Sequence, residues 1–429
     1  MSNIFSLEYA KQQDANDPIK HIRQEFTIPK QSNGEEEIYL CGNSLGLQPK
    51  LAAEYVNDEL SQWAKLGVKG HFSGDYPWMP YHEFLSEGFA DLVGAKTKEV
   101  VSMNTLTANL HFMMVSFYRP TTERHKIIIE DHAFPSDHYA VESQIKYHGF
   151  NTDESMVLLK PRDGEETLRD EDILQAIEEH GDTTALILLP GVQYYTGQVF
   201  DMESITKAGH AKGCKVGFDL AHAAGNIPMQ LHDWNVDFAA WCTYKYLNSG
   251  PGSVAGCFVH ERHHSDKELP RFAGWWGHDK DSRFKMENHF IPMESAEAWQ
   301  LSNPPILSLA AIRGSLDTVK KAGGIHELRK KSLHLTRYLR QLLEQELPND
   351  INILTPSDEK SSGAQLSLTV NLHGADGKQI FDAIEADGVT CDFRHPNVIR
   401  VAPAPQYNSF ADCYHFVRIL KKAIAEAAA

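Results

Sequence analysis

A mostly parallel α/β sheet covered on both faces, joined to a smaller α+β unit, is the fold that this 429-residue sequence predicts. Two observations carry the prediction. From about residue 98 to 260, short apolar runs alternate with helical patterns, as in a parallel sheet wrapped by helices. After residue 308 the texture turns almost wholly helical, then closes as a compact series of strands and helices.

The elements follow in order. "KIIIE" (126–130) is a β-branched strand, and "FPSDHYAVESQIKYHG" takes up helical spacing after its Pro-Ser-Asp start. "SMVLLK" (155–160) is a strand, and "DEDILQAIEEHG" is a helix with an acidic first turn and a terminal glycine. "TALILLPGV" (184–192) is unbroken and apolar, as a strand covered on both faces must be. "MESITKAGHAKG" is a helix, and "KVGFDL", "DFAAWCT" and "VAGCFVHE" complete the strands. Beyond residue 308 a long helical pattern breaks at Gly323-Gly324. Then come "INILTP", "QLSLTVNL", the helix "KQIFDAIEADG", "VIRVAP" and the closing helix "FADCYHFVRILKKAIAEAA".

Composition narrows the function class. No apolar run approaches the roughly 18–20 residues of a membrane span, and the amino terminus lacks a signal-peptide pattern. Six scattered cysteines without a CxxC read as reduced thiols of a cytosolic protein. With 41 basic and 58 acidic residues the net charge is −17, against a nucleic-acid footprint. "HERHH" (260–264) has no carboxylate or cysteine spacing to complete a metal site and reads as a solvated loop. The lysine-rich "LRKKSLH" reads as a wet helix face.

Ligands in parallel α/β sheets collect beyond the carboxyl ends of the strands, so the polar residues ending strands carry the argument. Asp219 ends "KVGFD", and a buried carboxylate needs a partner. One connection and one strand later, Lys245 stands between Tyr244 and Tyr246, after an apolar run and before the glycine-rich "NSGPGSVAG". A carboxylate and a lysine at one end of adjacent strands suit pyridoxal 5′-phosphate. The acid would keep the pyridinium nitrogen protonated, and the lysine would form the Schiff base. Desolvation there favours the neutral, nucleophilic amine. "NTLTAN" (104–109) offers Thr105 and Thr107 ahead of a helix as a phosphate cradle, and Phe134 could stack on the pyridine face. Asp219 taken alone also fits a turn cap, and Phe134 taken alone a core phenylalanine.

"CGNSLGLQP", "AFPSDHYA", "GVQYYTGQ", "GFDLAHAAGN", "YKYLNSGPGSVAG", "GWWGH", "LSNPP" and "IRVAPAPQYNSF" together, in order from about residue 38 to 410, resemble kynureninase. The resemblance implies a homodimeric, pyridoxal-phosphate-dependent hydrolase of the aspartate-aminotransferase fold type. Its large domain holds a mostly parallel seven-stranded sheet. It implies an N-terminal segment (1–60) serving the small domain and dimer contacts, a large domain (61–308) and a small domain (309–429). Lys245 then matches the Schiff-base lysine, Asp219 the pyridinium partner and His222 a cofactor-site histidine. Leu106 and Thr107 match the first phosphate-binding pair, and Phe134, Pro135, Ser136 and Asp137 the ring-stacking segment. Tyr244 matches a phosphate-contacting tyrosine proposed as an acid, while Trp275 and Asn303 match residues that reach across the dimer interface. Arg400 matches the arginine that binds the substrate's α-carboxylate, and Ser44 and His71 match substrate-pocket positions. Pro190 stands where some relatives carry a hydroxyl, so that contact is not carried over.

The implied reaction is hydrolytic Cβ–Cγ cleavage of L-kynurenine or its 3-hydroxy form, in tryptophan catabolism or NAD biosynthesis. His71 and Asn303 match the polar pair of the branch preferring 3-hydroxykynurenine. Two readings compete. A cysteine desulfurase needs a mobile catalytic cysteine, whereas Cys391 lies in the strand-like "VTCDFR". An effector-binding module of a transcription regulator needs a basic helix-turn-helix, whereas only about 40 unpatterned residues precede "CGNSLG".

Overall fold

The computed structural model describes residues 3–371 and 377–428. The chain opens with α1 (Leu7–Asn16), β1 (Phe26–Thr27), β2 (Ile38–Tyr39), β3 (Gln48–Pro49), α2 (Lys50–Leu66) and α3 (Ser86–Val93). The alternating series begins with β4 (Val100–Ser102), α4 (Leu106–Phe117), β5 (Lys126–Glu130), α5 (Pro135–Tyr147), α6 (Thr152–Ser155) and β6 (Met156–Leu159). It continues with α7 (Asp170–His180), β7 (Thr184–Pro190), α8 (Met202–Ala211), β8 (Lys215–Asp219), β9 (Phe238–Trp241) and β10 (Gly256–Val259). The two long helices α9 (Ile306–Lys321) and α10 (Ile325–Glu346) lead into β11 (Ile351–Ile353), β12 (Leu366–Val370) and α11 (Gly377–Ala386). The chain closes with β13 (Val389–Thr390), β14 (Asp392–Arg394), β15 (Val398–Val401) and α12 (Phe410–Ala427).

Seven strands form one sheet in the order β4-β10-β9-β8-β7-β5-β6. Only β10 runs antiparallel to its neighbours, so the sheet is mostly parallel, as predicted. Its strands are apolar on both faces because both are covered. Ile128, Ile187, Leu189, Val216 and Phe218 pack into one core, while Ile127, Ile129, Leu186 and Leu188 pack into another on the opposite face. Proline ends β7 and aspartate ends β8, where Pro190 and Asp219 are register partners. Asp219 also lies beside Ala240 of β9, so the chain reaches Lys245 just beyond the same sheet end.

A second, four-stranded antiparallel sheet runs β11-β12-β15-β14 and packs its own core against α10, α11 and α12. The N-terminal segment joins it. β2 pairs in parallel with β13, Cys41 bridges to Ala402, and Asp14 of α1 accepts from Phe410 N (2.7 Å) and Ala411 N (3.0 Å) at the start of α12. Among the described residues no helix is long and apolar enough to cross a membrane.

Three expectations are corrected. The first 40 residues are not patternless: Ser6 caps α1 by accepting from Tyr9 N. "HERHH" is not a solvated loop, because His260, His263 and His264 are buried. His263 Nε2 lies 2.8 Å from the buried Asp237 carboxylate, and His260 stacks on His232. A carboxylate does approach His260, namely Glu99, 2.9 Å from His232 Nδ1. Its oxygens already accept from Lys96 N (2.9 Å) and Glu261 N (2.8 Å), so the cluster is satisfied by protein donors. "LRKKSLH" is not wholly wet either: Lys331 is buried and pairs with Asp17 at 2.8 Å. Leu372, the last residue of the "QLSLTVNL" strand pattern, lies outside the described residues.

Candidate active site

A cleft of about 370 Å³ opens beyond the carboxyl ends of β5, β7 and β8, walled on its far side by β14 and β15. Its floor is acidic. Asp219 is buried, and its Oδ1 accepts from Ala221 N at 2.7 Å. Asp137, on the first turn of α5, is hydrogen-bonded to it. Burial raises both carboxyls, and the charge of Asp219 adds to the rise at Asp137, which ends well above the usual carboxylate range. The two carboxyls share a hydrogen bond, and the rise is the greater at Asp137.

Lys245 Nζ lies 2.9 Å from His222 Nε2. Burial, reinforced by the charge of Lys245, holds His222 well below the usual histidine range, so its ring is neutral and Nε2 accepts. The remaining ring nitrogen, Nδ1, is buried without a partner. Tyr244 also lines the cleft, and burial raises its phenol so that it keeps its proton.

One wall is built from two helix amino termini, whose first backbone N–H groups have no partner within the helix. Asn104, at φ +50°, turns the chain so that Thr105, Leu106 and Thr107 face the cleft at the start of α4. Thr107 Oγ1 and Ser136 Oγ lie 2.8 Å apart, tying this helix start to that of α5. Gly252, at φ +67°, and Ser253 close the rim. Phe134 stands edge-on to Tyr194, with ring centroids 5.2 Å apart.

The opposite wall carries Arg400, 1% exposed. Its Nε donates to Asp392 Oδ1 (3.1 Å) and its Nη1 to the Tyr194 carbonyl (2.6 Å). Nη2 sits 2.8 Å from Asp392 Oδ2 but off the hydrogen-bond axis, leaving it able to donate to an anion. Gln365 Nε2 donates to Tyr194 O at 3.0 Å, and its Oε1 accepts from buried Asn43.

The cleft gathers Ser44, Leu106, Thr107, Phe134, Ser136, Asp137, Asp219, His222, Tyr244, Lys245 and Arg400. Pro135 forms the first residue of α5 beside it. Trp275, Asn303 and His71 lie outside this chain's cleft. Asn303 is exposed, Trp275 is 43% exposed with Nε1 donating to Arg283 O, and His71 Nδ1 lies 3.0 Å from Val68 O. The sequence reading passes over Asn43, Glu130, Tyr194, Cys242 and Arg394. Glu130 ends its apolar strand just as Asp219 does, and Arg394 alternates with Asp392; both signals were present.

These residues fit pyridoxal phosphate. The orphaned His222 Nδ1, the buried Asp219 carboxyl, an amine near it and two open helix starts suit, in turn, the polar edge, the ring nitrogen, the aldehyde and the phosphate. The family model "Kynureninase C-terminal domain" matches residues 328–420. A kynureninase of Koribacter versatilis is 56% identical over 96% of this chain and 96% of its own. One from Nematostella vectensis is 48% identical over 98% and 94%. The chain belongs to the kynureninase family. Pyridoxal phosphate is the cofactor of this family member, and the enzyme is a hydrolase acting on carbon–carbon bonds. Solved structures share the fold at low identity. A cysteine desulfurase of Thermococcus onnurineus superposes with a TM-score of 0.78 at 16% identity, covering 95% of this chain and 98% of that one. A C-DES variant with glycine covalently linked to its pyridoxal phosphate gives 0.74 at 16%, covering 90% and 96%.

Proposed function

We propose that this enzyme hydrolyses L-kynurenine, and 3-hydroxy-L-kynurenine in preference, to L-alanine and the corresponding anthranilate. That reaction serves tryptophan breakdown or NAD synthesis in the cytoplasm. The observation that supports it best is the convergence of Lys245, Asp219 and Arg400 on one cleft in a chain half identical to kynureninases.

Bound pyridoxal phosphate supplies the electron sink that stabilises carbanion character beside the amino group. Each residue then has a defined task. Lys245 is the cofactor-bearing lysine, and its Nζ, once free, takes the α-proton; neutral His222 is placed to accept from it. Asp219 holds the proton on the ring nitrogen, and Asp137, as a carboxylic acid, steadies the Asp219 carboxylate by hydrogen-bonding to it. Leu106, Thr107 and Ser136 cradle the phosphate at the two helix starts, and Phe134 covers the ring. Arg400 binds the α-carboxylate through its free Nη2. Tyr244, whose phenol stays protonated, gives a proton to the β-carbon. Ser44 lines the substrate side.

We further propose a homodimer with shared sites, in which Trp275, Asn303 and His71 of one subunit complete the other's cleft. The exposure of Trp275 and Asn303 supports this, as do the neighbouring Phe72 (67% exposed) and Phe284 (56%). His71 and Asn303 would then meet the substrate ring and its 3-hydroxyl. The N-terminal segment 1–60 would contribute dimer contacts and part of the small domain 309–429, beside a large domain 61–308. A desulfurase reading finds less support: Cys391 is buried, and burial holds its thiol well above the usual range.

The decisive experiment measures kcat/KM for both substrates and traps the cofactor with borohydride. The expected label is on the Lys245 peptide, with 3-hydroxykynurenine favoured. Apolar replacement of His71 or Asn303 should shrink the preference by about two- to twelvefold, the worth of one neutral hydrogen bond. A wild type favouring kynurenine, or a label on another lysine, would refute the corresponding part.

A further inference from the structure

Antiparallel pairing of β14 with β15 sets Asp392 opposite Arg400 and Arg394 opposite Val398. Side chains alternate along a strand, so Asp392 and Arg394 share the face that carries Arg400, while Phe393 turns into the core beneath. Asp392 is therefore held between two guanidiniums. Arg394 Nη2 donates to Oδ2 at 3.1 Å, and its Nε lies 2.9 Å from Oδ1. The two arginines differ in freedom. Arg400 is fixed by Asp392 and Tyr194 and fully buried, whereas the Arg394 side chain is 37% exposed and has Asp392 as its only ion-pair partner among the described residues. Both line the cleft, and the other lysine or arginine there is Lys245.

The reaction creates a second anion. Water adds its oxygen to the arylcarbonyl carbon, and the bond from that carbon to the β-carbon breaks with its electron pair going to the β-carbon. The β-carbon takes its proton from Tyr244, one of water's protons restores that phenol, the other is released, and the carbonyl carbon departs as an aryl carboxylate. Amino acid and aryl product thus each carry a carboxylate, where the substrate carried one. With Lys245 committed to the cofactor and Arg400 to the α-carboxylate, one guanidinium in the wall remains free to turn. We propose that Arg394 leaves Asp392 and binds the carboxylate that forms on the aryl product, steadying the oxyanion as it develops. This rests on the hydrolytic reading above. When Arg394 turns away, the largely buried Asp392 carboxylate keeps Arg400 as its partner, so no buried charge is left alone.

The test compares wild type, R394Q and R394K as holoenzymes. It combines direct binding of anthranilate, benzoate and L-alanine by calorimetry with steady-state turnover of kynurenine. R394Q should weaken anthranilate and benzoate binding about tenfold, as expected for a lost charge-assisted contact, and leave L-alanine within twofold. It should lower kcat about tenfold or more with little change in KM, and R394K should recover part of both losses. Unchanged anthranilate affinity in R394Q, or an equal loss for alanine, overturns the role of Arg394 while leaving the reaction standing. A wild type that binds alanine but neither aryl carboxylate overturns the functional reading, and the proposal with it.

Discussion

Gly46 has no room for a side chain: a Cβ there would lie 2.4 Å from the Lys245 carbonyl oxygen and 2.1 Å from Asn248 Oδ1. Its N–H also donates to Tyr244 O at 2.8 Å, so this glycine sits flat beneath the lysine-bearing segment. Gly46→Ala should displace that segment, cost about 1–3 kcal/mol and loosen the cofactor, read as faster loss of yellow colour on dialysis. Glu130 makes a different prediction. Burial holds its carboxyl up at about 7, against an ordinary 4.5, and one of its oxygens has no partner. Between those two values the unfolded chain releases the proton while the folded chain keeps it, so stability falls as pH rises through that window. The loss is on the order of 3 kcal/mol by pH 8. Glu130→Gln should therefore unfold at higher temperature than wild type at pH 8, with the gain gone at pH 4. Lys245, Asp219 and Arg400 were legible because each breaks an apolar run. Tyr194 was not, since its contribution to Arg400 is a backbone carbonyl that no side-chain pattern reveals.

At the level of elements, period and punctuation gave the central series well: "KIIIE" is β5 in full, and the Gly323-Gly324 pair separates α9 from α10. What escaped was structure that depends on distant partners. α1 has a weak apolar face and gains its place from α12, whose first turn it caps through Asp14. β2 is two residues long and is a strand only because β13 lies beside it. The histidines of "HERHH" are buried because Asp237, the His232 and Val259 carbonyls and the Arg262 N–H take up their nitrogens, which spacing along the chain cannot show. Asp14→Ala should leave two helix-start N–H groups unsatisfied and lower stability by about 1–2 kcal/mol in thermal or urea unfolding. Ser409 and Asp412 form a capping box at the same helix start, so the loss should be partial rather than complete.

Across the whole molecule, the cleft of one chain has its acid floor, lysine, two open helix starts and Arg400 wall, but Trp275, Asn303 and His71 lie outside it. If a second copy supplies them, Lys245→Ala chains, inactive alone, should still lend their Asn303 to a partner. Mixing them with an Asn303→Ala variant should yield heterodimers whose one working site has both residues, so the preference for 3-hydroxykynurenine should climb back toward the wild-type value. A fully active monomer by light scattering would refute the shared site. The closure of α12 by α1 has a consequence in time as well as in space. Asp14 meets Phe410 across 396 positions, and at ribosomal rates of roughly 5–20 residues per second the first helix waits at least about 20 seconds for its partner to be made. During that wait Ala10 and Leu40, both fully buried at the end, have no finished core to enter. The N-terminal segment of this enzyme is made first and seated last, and a nascent chain stalled before α12 should remain open to protease there while its central sheet is already protected.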